Sequence, residues 1–206
     1  LSTLTSCAAA LALCGTGFAQ SFTALPTDVY SCSDITPDGQ IIVGSGTGGA
    51  YHWRWQVDPA PTYIGGEGAV AVSDDGSVIA GSIKDPVIGK NVAARWTQAT
   101  GWVSLGAEVS LASCGTPSTA YDMNADGTII VGLTWLNVCD ATGFKWELNN
   151  GVTFFETLGN GSNRPRAISG DGSTIVGLTQ GNFSRTLARW DPSDLTGVVP
   201  DMDDLG

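Results

Sequence analysis

The chain has 206 residues, enough for one domain of ordinary size, with 28 glycines, 14% charged residues and a formal charge of -11. Abundant glycine with few lysines and glutamates favours turns and strands over helices. The acidic field repels polyphosphate and anionic lipid, which excludes nucleic acid and acidic membrane surfaces as partners and leaves soluble cations, Ca²⁺ among them, compatible with the chain.

Residues 1–19 read as a secretory signal peptide. Residues 7–14 are an apolar run of mostly Ala and Leu, too short to span a bilayer. Gly17 and Ala19 are small at the two positions a signal peptidase inspects. Cleavage after Ala19 is expected, giving a secreted, extracellular or cell-surface product. No initiator Met and no basic leader precede the run, so the sequence reads as truncated there. No other stretch is long and apolar enough for membrane insertion.

Residues 20–206 read as one repeat domain. Four segments align without gaps on an Asp-Gly pair: 34–44 around Asp38 and Gly39, 71–81 around Asp75 and Gly76, 122–132 around Asp126 and Gly127, and 167–177 around Asp171 and Gly172. A basic residue and a tryptophan follow each core: Arg54 and Trp55, Arg95 and Trp96, Lys145 and Trp146, Arg189 and Trp190. Four of the nine basic residues hold this one position. A further strand then ends at Gly65, Gly106, Gly159 and Gly206. The repeats run approximately over 27–65, 66–106, 107–159 and 160–206.

In each repeat an apolar strand A enters the Asp-Gly pair, which favours the positive φ values of a tight hairpin. Strand B is rich in Ile and Val without polar alternation, as expected of a strand buried on both faces. Strand C carries the tryptophan, and strand D closes a four-stranded antiparallel meander of about 40–45 residues, the size of a propeller blade. The expected fold is all-β, a β-propeller-like array of four such blades; a β-solenoid is the competing architecture. The tryptophans should wedge between blades, and the basic residue before each stacks on an aromatic of the next blade, pairs with a carboxylate, or snorkels to the outer surface. Residues 22–26 resemble an extra D strand that would close a ring, which calls for at least one more A-B-C unit and five or more blades.

The succession of Asp-Gly, Ile-x-Gly, aromatic-x-Trp and Leu-Gly over residues 29–206 resembles the extracellular HAF-repeat proteins of bacteria. The literal His-Ala-Phe triplet is replaced here by residues such as Ala93-Ala94-Arg95-Trp96 and Gly143-Phe144-Lys145-Trp146. The resemblance implies a secreted, propeller-like repeat protein and supplies no catalytic residues.

No HExxH, Cys-x-x-Cys, P-loop or nucleophile elbow occurs, and His52 is the lone histidine, so no catalytic residue, metal site or cofactor is assigned. The Asp-Gly aspartates, Asp74, Asn124 and the group Asp201, Asp203 and Asp204 offer hard oxygens for Ca²⁺, but the pairs belong to separate hairpins, which favours a turn role. Cys114 and Cys139 fall in connections that emerge on one face and are expected to form a disulfide after secretion; Cys32 then has no partner here. The connections of that face vary in length, and recognition usually sits in such loops. Tyr51, His52, Trp135, Asp140, Phe183 and Arg185 are the candidate ligand-binding residues. The expected function is a non-enzymatic secreted module that binds a glycan, a cell-surface component or a protein. Alternatives are a glycoside hydrolase or lyase on the same scaffold, and a structural repeat segment of a larger surface protein.

Overall fold

A computed structural model describes residues 25–107, 117–135, 141–155, 162–180 and 185–195. The proposed signal peptide, Cys114, Cys139, Asp140, Phe183 and the aspartates at 201–204 lie outside the described residues.

Among the described residues, fifteen strands form four separate antiparallel sheets. Blade 1 is β1 (Val29–Ile35), β2 (Ile41–Gly46), β3 (Gly49–Arg54) and β4 (Thr62–Gly65). Blade 2 is β5 (Gly68–Val72), β6 (Val78–Lys84), β7 (Asn91–Thr97) and β8 (Gly101–Ser104). Blade 3 is β9 (Ser118–Met123), β10 (Ile129–Trp135), β11 (Ala141–Glu147) and β12 (Gly151–Phe154). Blade 4 shows β13 (Ser162–Ile168), β14 (Ile175–Gln180) and β15 (Arg185–Trp190). Each sheet is a simple meander, and none hydrogen-bonds edge-on to the next as a solenoid would require. First strands touch first strands, β1 to β5 to β9 to β13, and each also packs on the middle strands of the preceding blade. The sheets therefore fan out from an inner edge made of first strands, as propeller blades do.

The Asp-Gly turns follow one plan. In blade 2 the Gly76 N–H donates to the Ser73 carbonyl at 2.8 Å, closing a β-turn. The Ser73 hydroxyl donates to Asp75 Oδ1 at 2.7 Å and accepts from the Val78 N–H at 3.0 Å, while the Ser77 N–H donates to the same carboxylate oxygen at 2.9 Å. Thr36 with Asp38 and Ser169 with Asp171 repeat this arrangement; Asn124 with Asp126 and Thr128 varies it. The glycine alone has positive φ, between 65° and 73° at the four turns, and the aspartate does not. These are longer loops built on an ordinary turn with a left-handed fourth residue, rather than the two-residue hairpin the Asp-Gly pair suggests. The carboxylates receive the turn's own donors.

The glycine that ends each Ile-x-Gly run has a different cause. A Cβ at Gly44, Gly81, Gly132 or Gly177 would strike the backbone carbonyl of Ser31, Gly68, Thr119 or Arg164 respectively, each on the adjoining first strand. The contact sits where that strand bulges. The register skips Ser33, Val70, Tyr121 and Arg166 at the same height of the four first strands, and β1 skips Tyr30 as well.

Register also decides which tryptophan each blade uses. Ile79 faces Trp96, Ile130 faces Trp146 and Ile175 faces Trp190. In blade 1 the partner of Ile42 is Trp53, not Trp55, and His52 takes the seat of Arg95, Lys145 and Arg189. Trp55 lies just past β3, its ring edge-on to Trp53 at 4.9 Å. The aromatic-x-aromatic spelling, Trp53-Arg54-Trp55, offers two alignments, and only the ladder distinguishes them.

The end blades expose what inner blades bury. Ile35 is 51% exposed, whereas its counterparts Val72, Met123 and Ile168 are 6–8% exposed. At the other end Val176 is 44% exposed against 0% for Val43, Ala80 and Val131, and Leu187 is 56% exposed against 0% for Ala50 and Ala93. The burial that makes strand B apolar on both sides is thus supplied by neighbouring blades.

Candidate functional site

Each seam joins a cation or imidazole of one blade to the tryptophan region of the next. His52 lies against Trp96, ring centroids 5.9 Å apart. Arg95 lies over Trp146 at 5.9 Å and donates from Nε to the Gly127 carbonyl at 3.3 Å. Lys145, buried, donates from Nζ to the Pro192 carbonyl at 2.7 Å and pairs with Glu147 at 3.1 Å. The basic residue before the tryptophan lies over an aromatic of the next blade at Arg95, whereas Lys145 pairs with a carboxylate of its own blade and reaches a backbone carbonyl beyond Trp190. Arg54 instead pairs with Asp58 at 2.6 Å on the surface. Burial holds the His52 imidazole below its ordinary pKa, with Asp58 opposing.

Carboxylates clasp two of the three seams. Asp34 Oδ2 accepts from the Val72 N–H at 2.9 Å, and Asp122 Oδ2 accepts from the Ile168 N–H at 2.8 Å. The equivalent residues Ala71 and Ala167 carry no such group. Burial pushes the Asp122 pKa up, the Ile168 and Met123 N–H groups oppose this, and Asp34 adds repulsion. Each of the two carboxylates is held in a backbone clasp.

Of the six candidate ligand residues, Tyr51 and His52 are not in a loop. Both lie within β3, and Tyr51 is fully buried, its hydroxyl donating to the Ser31 carbonyl at 3.0 Å and lying 3.2 Å from Cys32 Sγ. Burial raises the Tyr51 phenol pKa. A two-residue turn, Thr47 and Gly48, joins β2 to β3, so blade 1 has almost no B–C loop to hold them. Trp135 ends β10 beside the B–C connection of blade 3, half-buried, and Arg185 opens β15, exposed and bonded to Gln180.

The structure adds partners that the sequence did not suggest. Arg164 lies over the Trp135 ring at 6.0 Å, and Arg166 lies over the Tyr121 ring at 4.5 Å. Both arginines come from the first strand of blade 4 and both rings from blade 3. The two contacts bridge the third seam, one to the first strand of blade 3 and one to its second. Tyr121 and Arg166 are the bulged residues of their strands, and bulges commonly re-aim side chains beside functional sites. The sequence signal for this group was faint: the bulge occupies the unaligned stretch before each Asp-Gly core.

No family model and no curated protein matches the chain. Among solved structures it is similar to a putative TolB from Agrobacterium tumefaciens, with a TM-score of 0.60, 20% identity, and 82% of this chain against 59% of that one. A TolB from Acinetobacter baumannii gives 0.59 and 16% identity, covering 82% of this chain and 42% of that one. The fold is that of a β-propeller. A structure from a study of two prolyl endopeptidases matches over 82% of this chain and 27% of its own, at a TM-score of 0.50 and 11% identity. The chain thus spans about three-fifths or less of each, and identities this low carry the fold alone.

Proposed function

We propose that this propeller array is a secreted interaction module that binds its ligand at the third seam, around Tyr121 and Trp135. One observation carries the reading. Positions that hold the blades together repeat: isoleucine at 42, 79, 130 and 175, glycine at 44, 81, 132 and 177, tryptophan at 53, 96, 146 and 190. The bulged residues beside them do not repeat; they are Ser33, Val70, Tyr121 and Arg166. A constant scaffold presenting a different side chain from each blade is how binding surfaces are built on repeat folds. Secretion rests on the signal-peptide pattern of residues 1–19 and on the HAF-repeat resemblance.

The test is a binding screen of the immobilised chain against glycan and peptide arrays, repeated with Tyr121→Ala, Trp135→Ala and, as an outer-strand control, Val103→Ser. Val103 is exposed on β8. Hits lost in the first two variants and kept in the third support the proposal. Hits indifferent to Tyr121 and Trp135, or no hits from the folded chain, refute it.

A further inference from the structure

We infer that the exposed face of blade 4 docks on the exposed face of blade 1 in a second copy of this chain, making a fourth seam of the same kind as the three within it. This joint is separate from the ligand site and uses neither Tyr121 nor Trp135. The internal seams show what such a joint needs, and the two end faces hold its two halves. The residue that opens each second strand packs over the turn glycine of the next blade. A Cβ at Gly76, Gly127 or Gly172 would strike Ile41, Val78 or Ile129, while one at Gly39 would meet nothing within 4 Å. The matching residue of blade 4 is Thr174. The turns also bond in a row. The Asp74 N–H donates to the Ala125 carbonyl at 2.8 Å, and the Ala125 N–H donates to the Gly170 carbonyl at 2.9 Å. The next donor is the Gly170 N–H, and the first carbonyl is that of Pro37; among the described residues neither has a backbone partner. Proline has no N–H, so Pro37 enters the row only as an acceptor, the role that the Gly170 N–H requires.

The apolar surfaces match in the same sense. Val43 clusters with Val72, Ile79 and Trp96 of blade 2, and Val131 with Ile168, Ile175 and Trp190 of blade 4. Val176, 44% exposed, is their equivalent on blade 4, and the corresponding receivers on blade 1 are Ile35, Ile42 and Trp53. There Leu25, Cys32, Ile35, Ile42 and Trp55 help line a hollow of about 500 Å³. Charge is complementary as well. Residues 25–66 hold four aspartates and one arginine, and residues 162–195 hold four arginines and three aspartates. Arg189 is exposed and holds the seat from which Arg95 reaches Trp146. Space over the turn glycine, an N–H facing a carbonyl and the apolar register together select a blade of this same repeat as the occupant. Ala167 stands where Asp34 and Asp122 clasp two internal seams. The joint is therefore weak, formed between about 10 µM and 1 mM.

The experiment is sedimentation velocity of the full chain from about 1 µM to about 1 mM, with Ile35→Lys on blade 1, Val176→Lys on blade 4 and Leu187→Lys as a second blade 4 variant. All three positions are exposed, so each variant should melt with the parent at the lowest concentration. The parent should run as one copy at the lowest concentration and as two or more at the highest. An unpaired lysine closed into the joint should abolish association of each variant alone. An equimolar mixture of Ile35→Lys and Val176→Lys should associate again and stop at two copies, because each keeps the face the other has lost. Lysine at both sites excludes attraction between the substituted faces. One copy of the parent at every concentration overturns the inference; slow amide exchange at Ile35 in that single copy would assign the cover to a segment of the chain itself. Association that survives the substitutions, or a mixture that stays single, overturns it as well, since the joint would then not pair these unlike faces.

Discussion

Asp122→Ala is the most informative single perturbation of the seams. The carboxylate reaches across from β9 to the Ile168 N–H at 2.8 Å, at a residue that is itself buried. Truncation removes that acceptor, and an unmatched buried donor costs about 1–3 kcal/mol. In a domain of this size the melting temperature falls by about 2–4 °C per kcal/mol, so a drop of about 2–12 °C is expected by calorimetry or circular dichroism. Asp122→Asn keeps the accepting oxygen and discards a charge that burial and Asp34 both disfavour, so it should stay within about 1 kcal/mol of the parent. The sign with pH follows from the raised folded pKa. The native state holds its proton more tightly than the unfolded chain, so ionised Asp122 weakens the fold as pH rises from 3.8 through the folded value. The asparagine variant therefore gains on the parent over that window and holds the gain above it. An alanine variant that melts with the parent, or an asparagine variant as damaged as alanine, would refute the clasp.

Three further outcomes are expected. Val131→Ala and Val176→Ala remove the same atoms from equivalent strand positions, but the first site is closed by a neighbouring blade and the second is 44% exposed. Denaturant melts should show a loss of about 2–3 kcal/mol at Val131 and under about 1 kcal/mol at Val176; equal losses would contradict burial by stacking. Trp53→Ala should cost about 3–5 kcal/mol as a core deletion, and Trp55→Ala less, the reverse of what Arg54-Trp55 spelling suggests. Hydroxyl and amide hydrogen bonds lower the pKa values of the turn aspartates Asp38, Asp75, Asp126 and Asp171, the last to about 2. Their stabilisation is present above the unfolded value of 3.8 and is lost as pH falls through the lowered folded values, so acid titration followed by circular dichroism should show cooperative loss below 3.8.

Much of the scaffold was legible because every blade states it again. The Asp-Gly pair, the Ile-x-Gly run and the tryptophan each mark a place where backbone crowding or burial leaves few choices, and their recurrence revealed four meanders. What stayed hidden depended on register. Trp53 and Trp55 differ by one strand period, so only pairing with Ile42 separates them. Tyr51 resembled a loop residue because blade 1 has a two-residue B–C turn that spacing alone did not disclose. The arginine–aromatic contacts of the third seam bring in Trp135, already singled out, with Arg164, Arg166 and Tyr121, which belong to another seat of the repeat or another blade. Sequence order cannot show that β13 lays its arginines on the rings of blade 3. The alternation of Asp34 and Asp122 with Ala71 and Ala167 was present in the alignment, and its meaning required the clasp to be seen.

Stacking itself is tested most directly by amide hydrogen exchange at Val72 and Ile168. Both N–H groups donate to carboxylates of the preceding blade, while the equivalent Ile35 N–H meets only its own neighbour Asp34 on an exposed face. Locked seams predict slow exchange at Val72 and Ile168, close to the rate of global unfolding, and fast exchange at Ile35. Fast exchange at all three would mean that the blades do not hold one another.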